Sequence, residues 1–317
     1  MGGIGEAFGK LLLFGEHAAV HGYPAVGVSL PESTVARVDG PRMPEWNLEA
    51  LSAPDRETVE AILLQMEGLI PGLAARGRCS VRIESGVARS AGFGSSAALC
   101  GALARALLSH AGGAAPAQPQ EAWQIAHSAE GIFHGTPSGV DTGLALLGGT
   151  CVFQPDPPGL PAWSRIVHPR LWLVVGALPR DASCGELVGA VSRRIASGDA
   201  LAVACMNALG GYAEQAAGAL RDASGEMAAT IGRLAGDAHA ALRRLGLSTP
   251  ALEQVLETGK AAGAMGGKVS GAGAGGAFFL VAGDAGSAGA IAARVQKECG
   301  QIGLISPART LPLGGAA

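Results

Sequence analysis

The sequence is short of charge and of aromatic rings: 15% of its 317 residues are Asp, Glu, Lys or Arg, and 4% are Phe, Trp or Tyr. With a formal net charge of −3 and no Lys/Arg run, it lacks the electrostatic footprint of a nucleic-acid binder. It also lacks any apolar stretch near the ~20 residues that cross a bilayer. The runs Leu11 to Phe14 and Leu171 to Val175 are far shorter, so no membrane association is expected. No signal-peptide h-region surrounds Glu6 and Lys10, and the six cysteines form no C-x-x-C pair. Reduced core thiols in a cytoplasmic protein are the expectation. Lysine occurs only at 10, 260, 268 and 297, which makes each of those places worth attention.

Glycine, by contrast, is abundant: 50 residues, without the G-X-Y period of collagen. Such a chain must turn often, pack backbones closely, or bring backbone against ligands. With 48% apolar residues it has ample material for a core, in one large domain or two of ordinary size.

Strand-like and helix-like signals alternate along the chain, so the class is mixed α and β. Short strands are expected at Leu11 to Phe14, Ala25 to Leu30 (ending at Pro31) and Ser80 to Ile83, with residues 39–56 a loop. Helices are expected over Glu57 to Leu69, Ser95 to His110 and Glu121 to Phe133, with a loop over 111–119. The proline-rich stretch 154–161 reads as a boundary. Beyond it come a buried-type strand, Leu171 to Leu178, and helices near 185–196, 199–222, 225–245 and 250–261. A strand, the glycine stretch 271–276, a strand Ala277 to Val281, a helix near 286–298 and a short strand at 301–305 complete the reading.

The most informative segment is Ser90-Ala-Gly-Phe-Gly-Ser-Ser-Ala-Ala98. Glycines before a helix let backbone N–H groups converge on an anion, and the helix terminus and serine hydroxyls add ligands for phosphate or Mg²⁺. The plainer reading is a glycine turn with Ser95 as N-cap. Two nucleotide motifs fail here. Gly92-x-Gly94-x-x-Ala97 lacks the acid about 20 residues on that a Rossmann site needs, and no Gly-Lys pair is followed by Ser or Thr as in a Walker A loop.

Glu130 lies at the edge of an apolar helix face, and the turn residues Pro137-Ser138-Gly139 would fold Asp141 back towards that helix end. Two carboxylates there could hold a metal and act as a base; the alternative is an exposed glutamate and a capping aspartate. His127, Glu130 and His134 could mimic a transition-metal site, but Gly131 and Gly135 argue against it. Lys10, near Gly15-Glu16-His17, is either a solvated lysine or an ammonium that meets phosphate or an alcohol oxygen. His17 and His21 read as structural or substrate-contacting rather than metal-binding.

These pieces, in this order, resemble the GHMP kinases, a superfamily of small-molecule kinases. Gly9-Lys-Leu-Leu-Leu-Phe-Gly-Glu-His-Ala-Ala-Val-His-Gly22 resembles the family's first motif, and Gly92-Phe-Gly-Ser-Ser-Ala-Ala98 its phosphate loop. Glu130 with His134-Gly-Thr-Pro-Ser-Gly-Val-Asp141 resembles its metal-and-base segment, and Lys268-Val-Ser-Gly-Ala-Gly-Ala-Gly-Gly276 its third motif. Departures from the pattern are Ala88 and Ser90 before the phosphate loop, Thr142 after the aspartate, and Ser270, Ala274 and Ala277 in the third motif. The resemblance implies an α+β, two-lobed fold. Its N-terminal domain, 1–165, would carry a left-handed-βαβ-type nucleotide site, and the C-terminal tail could rejoin it. Its ferredoxin-like C-terminal domain would be 166–317.

The resemblance is greatest to the branch that phosphorylates the mevalonate 5-hydroxyl with ATP. It implies Asp141 as base or orienter of that hydroxyl and Lys10 as its partner. Ser96 and Glu130 would hold Mg²⁺. Gly92, Phe93, Gly94, Ser95, Ser96, Ala97, Lys268, Gly271 and Gly273 would bind the nucleotide. Glu16, His17, Gly139 and Ser183 would be on the substrate side, and a homodimer is compatible with this picture. A family member acting on phosphomevalonate, homoserine or a sugar, or a non-catalytic ATP-binding relative, remains open.

Overall fold

The computed structural model describes residues 2–112, 119–134, 137–155, 159–180 and 182–315. The chain begins with β1 (Gly3–Phe14), a 3-10 turn (Ala18–His21), β2 (Ala25–Met43), α1 (Ala53–Glu67), the short α2 (Leu73–Arg76) and β3 (Arg78–Ser85). There follow α3 (Ser95–Gly112), α4 (Pro119–His134), α5 (Val140–Leu147), β4 (Thr150–Gln154), β5 (Ala162–Ile166) and β6 (Leu171–Leu178). The remainder is α6 (Cys184–Ala196), α7 (Ala200–Asp222), α8 (Met227–Arg244), α9 (Pro250–Ala261), β7 (Gly266–Val269), β8 (Gly276–Ala282), α10 (Ala285–Cys299), a 3-10 turn (Gly300–Ile302) and β9 (Ser306–Leu313).

Two compact units divide the chain. The first takes residues 1–10, 29–88 and 94–148. Its centre is α3, whose residues are apolar around almost the whole circumference because α4, α5 and the start of β1 all pack on it. Glycine permits the strand to approach: a Cβ at Gly3 or Gly5 would lie about 2 Å from the Ala106 or Ala102 carbonyl oxygen of α3. The later part of β2, from Thr34, pairs antiparallel with β3.

The second unit takes 11–28, 89–93 and 149–317. Its sheet runs β7-β8-β6-β9, all antiparallel, with helices between β6 and β7 and between β8 and β9. That is the split β-α-β-β-α-β arrangement, and it matches the ferredoxin-like expectation. Every residue of β8 is buried, which is why it reads as an unbroken apolar run. In the same unit the start of β2 pairs with β4, and β4 with β5.

Several expectations are corrected. The second strand does not stop at Pro31 but continues to Met43, because β2 changes partner there: Ala25–Val28 pair with β4 and Thr34–Met43 with β3, so Pro31 falls between the two ladders. The loop over 39–56 shrinks accordingly, and α1 starts at Ala53 behind Ser52, with proline in its first turn. The strand at 301–305 is a 3-10 turn, and the true strand, β9, follows it. That strand pairs with β6, within the second unit. The units also differ from a cut at 165: residues 149–165 fall in the second unit because β4 and β5 pair there. Part of the boundary segment 154–161, and most of the loop after 111, lie outside the described residues. Among the described residues, no helix is long and apolar enough to cross a membrane.

The α7 helix ends on Ala223, an exposed alanine in the left-handed region at φ 50°. That conformation costs an L-residue about 1–2 kcal/mol, and glycine recovers most of it, less its larger unfolded-state entropy. Ala223→Gly is therefore expected to raise the unfolding free energy by about 0.5–1 kcal/mol in urea titration.

Candidate active site

In the first unit, β1 delivers Lys10, 5% exposed, to Asp141. The ammonium meets Asp141 Oδ2 at 2.9 Å, with the carboxylate side chain one-third exposed, at 33%. Asp141 is in the first turn of α5, which Gly139 opens at φ 78°. The Gly139 carbonyl accepts hydrogen bonds from the Trp123 indole at 3.0 Å and the Thr142 hydroxyl at 3.2 Å. A buried tryptophan thus holds the turn that aims the aspartate. Gly139, expected at the substrate, instead has its carbonyl committed to this support.

The stem of Lys10 lies under the phosphate-loop candidate. At Gly94, φ 75°, a Cβ would come within 2.5 Å of Lys10 Cγ, so the loop backbone rests on the lysine. Its carbonyl accepts from Ala98 as α3 begins at Ser95. No acid occupies the first turn of α3, which leaves the positive end of the helix dipole uncompensated by its own sequence. Ser95 and Ser96 are half-buried there, and Ala97 is fully buried.

Glu130, on α4, is 1% exposed. Burial, reinforced by the charge of Asp141, pushes its carboxyl up to about 8; the Lys10 ammonium and the Thr142 hydroxyl oppose the shift. An added cation would relieve this cost. The donors on offer, two carboxylates and the hydroxyls of a helix start, are hard oxygens. Among the described residues no group of three His, Cys, Asp or Glu side chains could cage a metal by itself. This donor set fits Mg²⁺, which takes one or two carboxylates and completes its shell with water and phosphate, better than a transition metal. The His134 side chain, the third member of the alternative metal triad, and Gly135 and Thr136 lie outside the described residues.

In the second unit, the end of β1 is stitched to the third glycine motif. The Ser270 hydroxyl donates to the Leu12 carbonyl at 2.8 Å and accepts from the Leu12 amide at 3.1 Å. His17 Nε2 meets the Ala272 carbonyl at 2.9 Å. A carbonyl can only accept, so Nε2 carries the proton and Nδ1 is left as an acceptor, buried and unpartnered among the described residues. Burial lowers the His17 pKa to about 4, so the ring is neutral.

Three of the expected site residues carry structural contacts. Lys268, expected at the nucleotide, is fully buried and ion-paired with Glu16, expected at the substrate and 2% exposed. The ammonium also donates to the Val269 carbonyl at 2.7 Å and stands over the Phe14 and Phe279 rings. The pair ties the segment after β1 to β7. Ser183 is likewise a helix cap: its hydroxyl donates to Glu186 and accepts from the Glu186 amide.

Gly92 is pressed against the Ala277 amide, 2.8 Å from a would-be Cβ, and the Phe93 side chain is buried, so only backbone at 92–93 can face a ligand. Gly271, φ 85°, has open space where a Cβ would stand, whereas Gly273 abuts the Leu247 carbonyl. Ser90 and Ala274, which replace family glycines, still adopt φ of 56° and 54°. Sequence reading passed over Trp123 and Ser270 as site supports, because their partners are 16 and 258 residues away and no local pattern reports them.

The profile described as GHMP kinases N terminal domain matches residues 57–149, and that described as GHMP kinases C terminal matches 203–301. The chain is 26% identical over 309 residues to a mevalonate kinase of Pyrococcus furiosus, covering 88% of this chain and 89% of that one. Among solved structures it is similar to L. major mevalonate kinase in complex with R-mevalonate, with TM-score 0.82 and 25% identity over 100% of this chain and 98% of that one. Streptococcus pneumoniae phosphomevalonate kinase shares the fold, with TM-score 0.78 at 16% identity over 98% and 99% of the two chains.

Two outcomes follow from the buried charges. Lys268→Met strands Glu16 in the core and is expected to cost about 3–5 kcal/mol in denaturant unfolding, most of it recovered in Glu16→Leu/Lys268→Met. The raised Glu130 carboxyl means the folded protein binds a proton that the unfolded chain releases, so its contribution to stability falls as pH rises from the unfolded value of 4.5 towards about 8. Glu130→Gln should therefore melt above the ligand-free wild type at pH 9, and the gap should narrow at pH 5.

Proposed function

Because the chain belongs to the GHMP kinases, which transfer a phosphoryl group to an alcohol, we propose that it phosphorylates the 5-hydroxyl of (R)-mevalonate with ATP to give 5-phosphomevalonate. The observation that carries the reading is the Lys10–Asp141 pair: a buried ammonium 2.9 Å from a carboxylate that solvent can reach, within a chain similar along almost its whole length to mevalonate kinases.

The roles follow from the chemistry. Phosphoryl transfer needs positioning and charge neutralisation more than covalent help. Asp141 accepts a hydrogen bond from the substrate hydroxyl and takes its proton as the bond to phosphorus forms. Lys10 stabilises the negative charge that develops on that oxygen. It acts in the transition state and little before it, which is where stabilisation raises kcat. The backbone of 92–97 and the start of α3 cradle the phosphates, with Gly271 and Gly273 on the nucleotide side. Ser96 and Glu130 would hold Mg²⁺, which would supply positive charge against the charge of the transferring phosphoryl group. His17, neutral and with Nδ1 free to accept, takes a substrate hydroxyl proton in a hydrogen bond and offers no charge to a carboxylate.

A coupled ADP-release assay with mevalonate, phosphomevalonate, homoserine and galactose tests the substrate. Turnover of mevalonate is expected; turnover of another alcohol without it would sink the reading. Asp141→Ala should lower kcat by about 10²–10⁴-fold with Mg·ATP affinity within about twofold. A collapse of ATP binding in that variant would make Asp141 structural.

A further inference from the structure

The second unit contains a polar cluster that the reaction as described does not use. Glu253, in the first turn of α9, accepts from the Ser248 hydroxyl at 2.5 Å and meets His239 Nε2 at 2.9 Å, both on Oε1; Arg243 approaches Oε2 at 3.5 Å. His239, on α8, is 7% exposed, and burial lowers its pKa, so the neutral ring donates through Nε2 to the carboxylate. Ser248 and Glu253 share that one nitrogen, and His239 Nδ1 has no partner among the described residues. The cluster therefore lacks the relay of a hydrolytic triad, in which acid and nucleophile engage opposite ring nitrogens. Its geometry is that of a clamp.

What it clamps is the loop after α8. Leu247 is 3% exposed, and its carbonyl accepts from the Ala274 amide at 2.8 Å. The same carbonyl oxygen would be 2.6 Å from a Cβ at Gly273, so loop and glycine turn touch backbone to backbone. Arg194 of α6 holds the loop from its other end, donating to the Leu245 carbonyl at 3.1 Å. Ala274 itself is held at φ 54°, a conformation an alanine keeps only when its surroundings impose it.

We propose that Glu253 is a positioning residue for nucleotide binding: together with His239 it holds Ser248, and through Ser248 it fixes the Leu247 carbonyl that anchors the glycine turn at Ala274. The inference rests on the reading of the chain as an ATP-using kinase with Gly271 and Gly273 on the nucleotide side. A turn that is correctly shaped only part of the time binds its ligand more weakly by that fraction.

The full-length protein carrying Ser248→Ala, Ser248→Thr, Glu253→Ala or Ser248→Ala/Glu253→Ala tests this with two readouts that need no alcohol. One is backbone hydrogen exchange over 270–276 without ligand, and the other is the Mg·ATP dissociation constant by calorimetry. Ser248→Ala should exchange about tenfold faster at the turn and bind Mg·ATP about tenfold more weakly, while Ser248→Thr, which keeps the hydroxyl, should match the wild type. The double variant should be no worse than Glu253→Ala, since both act through one path. Unchanged exchange in Ser248→Ala overturns the brace, and faster exchange with unchanged affinity overturns its part in nucleotide binding. A wild type that binds Mg·ATP but leaves mevalonate unphosphorylated overturns only the substrate assignment, whereas one without Mg·ATP affinity overturns both.

Discussion

Charge is rare in this chain, and where it is buried the surrounding structure is arranged to meet it. Lys10, Glu16, Glu130 and Lys268 are each 5% exposed or less. Removing an ionised group from water costs several kcal/mol unless a partner and hydrogen bonds replace the solvent. The solutions differ. Lys268 and Glu16 neutralise each other inside the second unit and are spent on holding it together. Lys10 pairs with an aspartate that is one-third exposed. Glu130 holds a proton instead. The same physical demand thus yields one fully buried pair, one pair open to solvent on its acidic side, and one protonated carboxyl.

The sequence disclosed those elements whose pattern is local. Leu171–Leu178 was delimited to the residue, because a strand covered on both faces is an unbroken apolar run, and the helix expected near 250–261 forms at Pro250–Ala261 behind the cap Thr249. The long β2 was hidden because a proline that breaks one ladder is harmless between two. The strand β5 escaped notice because four of its five residues are exposed, leaving no alternation to read. At the site, spacing suggested that Asp141 returns to the end of α4, but its partnership with Lys10, 131 positions away, entered only through likeness to known kinases. That likeness did not report every contact. Lys268 and Glu16 carry the motifs, yet a motif does not reveal that its two charges pair with each other.

The glycine excess separates into physical kinds. At Gly3 and Gly5 the missing side chain allows a strand to lie on a helix; at Gly94 it allows a loop to lie on a lysine; at Gly271 it leaves open space. Ser90 and Ala274 show the converse, since both hold left-handed backbone without being glycine. Neighbouring contacts maintain those shapes, which is why the loop after α8 matters to a turn 26 residues further on.

The protonated Glu130 alters the field that an incoming ligand meets. The formal charge of −3 counts every carboxylate as ionised, and one proton held below pH 8 makes it −2. Locally the change is larger in effect: Lys10 and Asp141 pair, and Glu130 beside them adds no negative charge. The start of α3, with no acid in its first turn, thus presents its amide dipoles in a unit that carries one carboxylate charge fewer than the sequence counts.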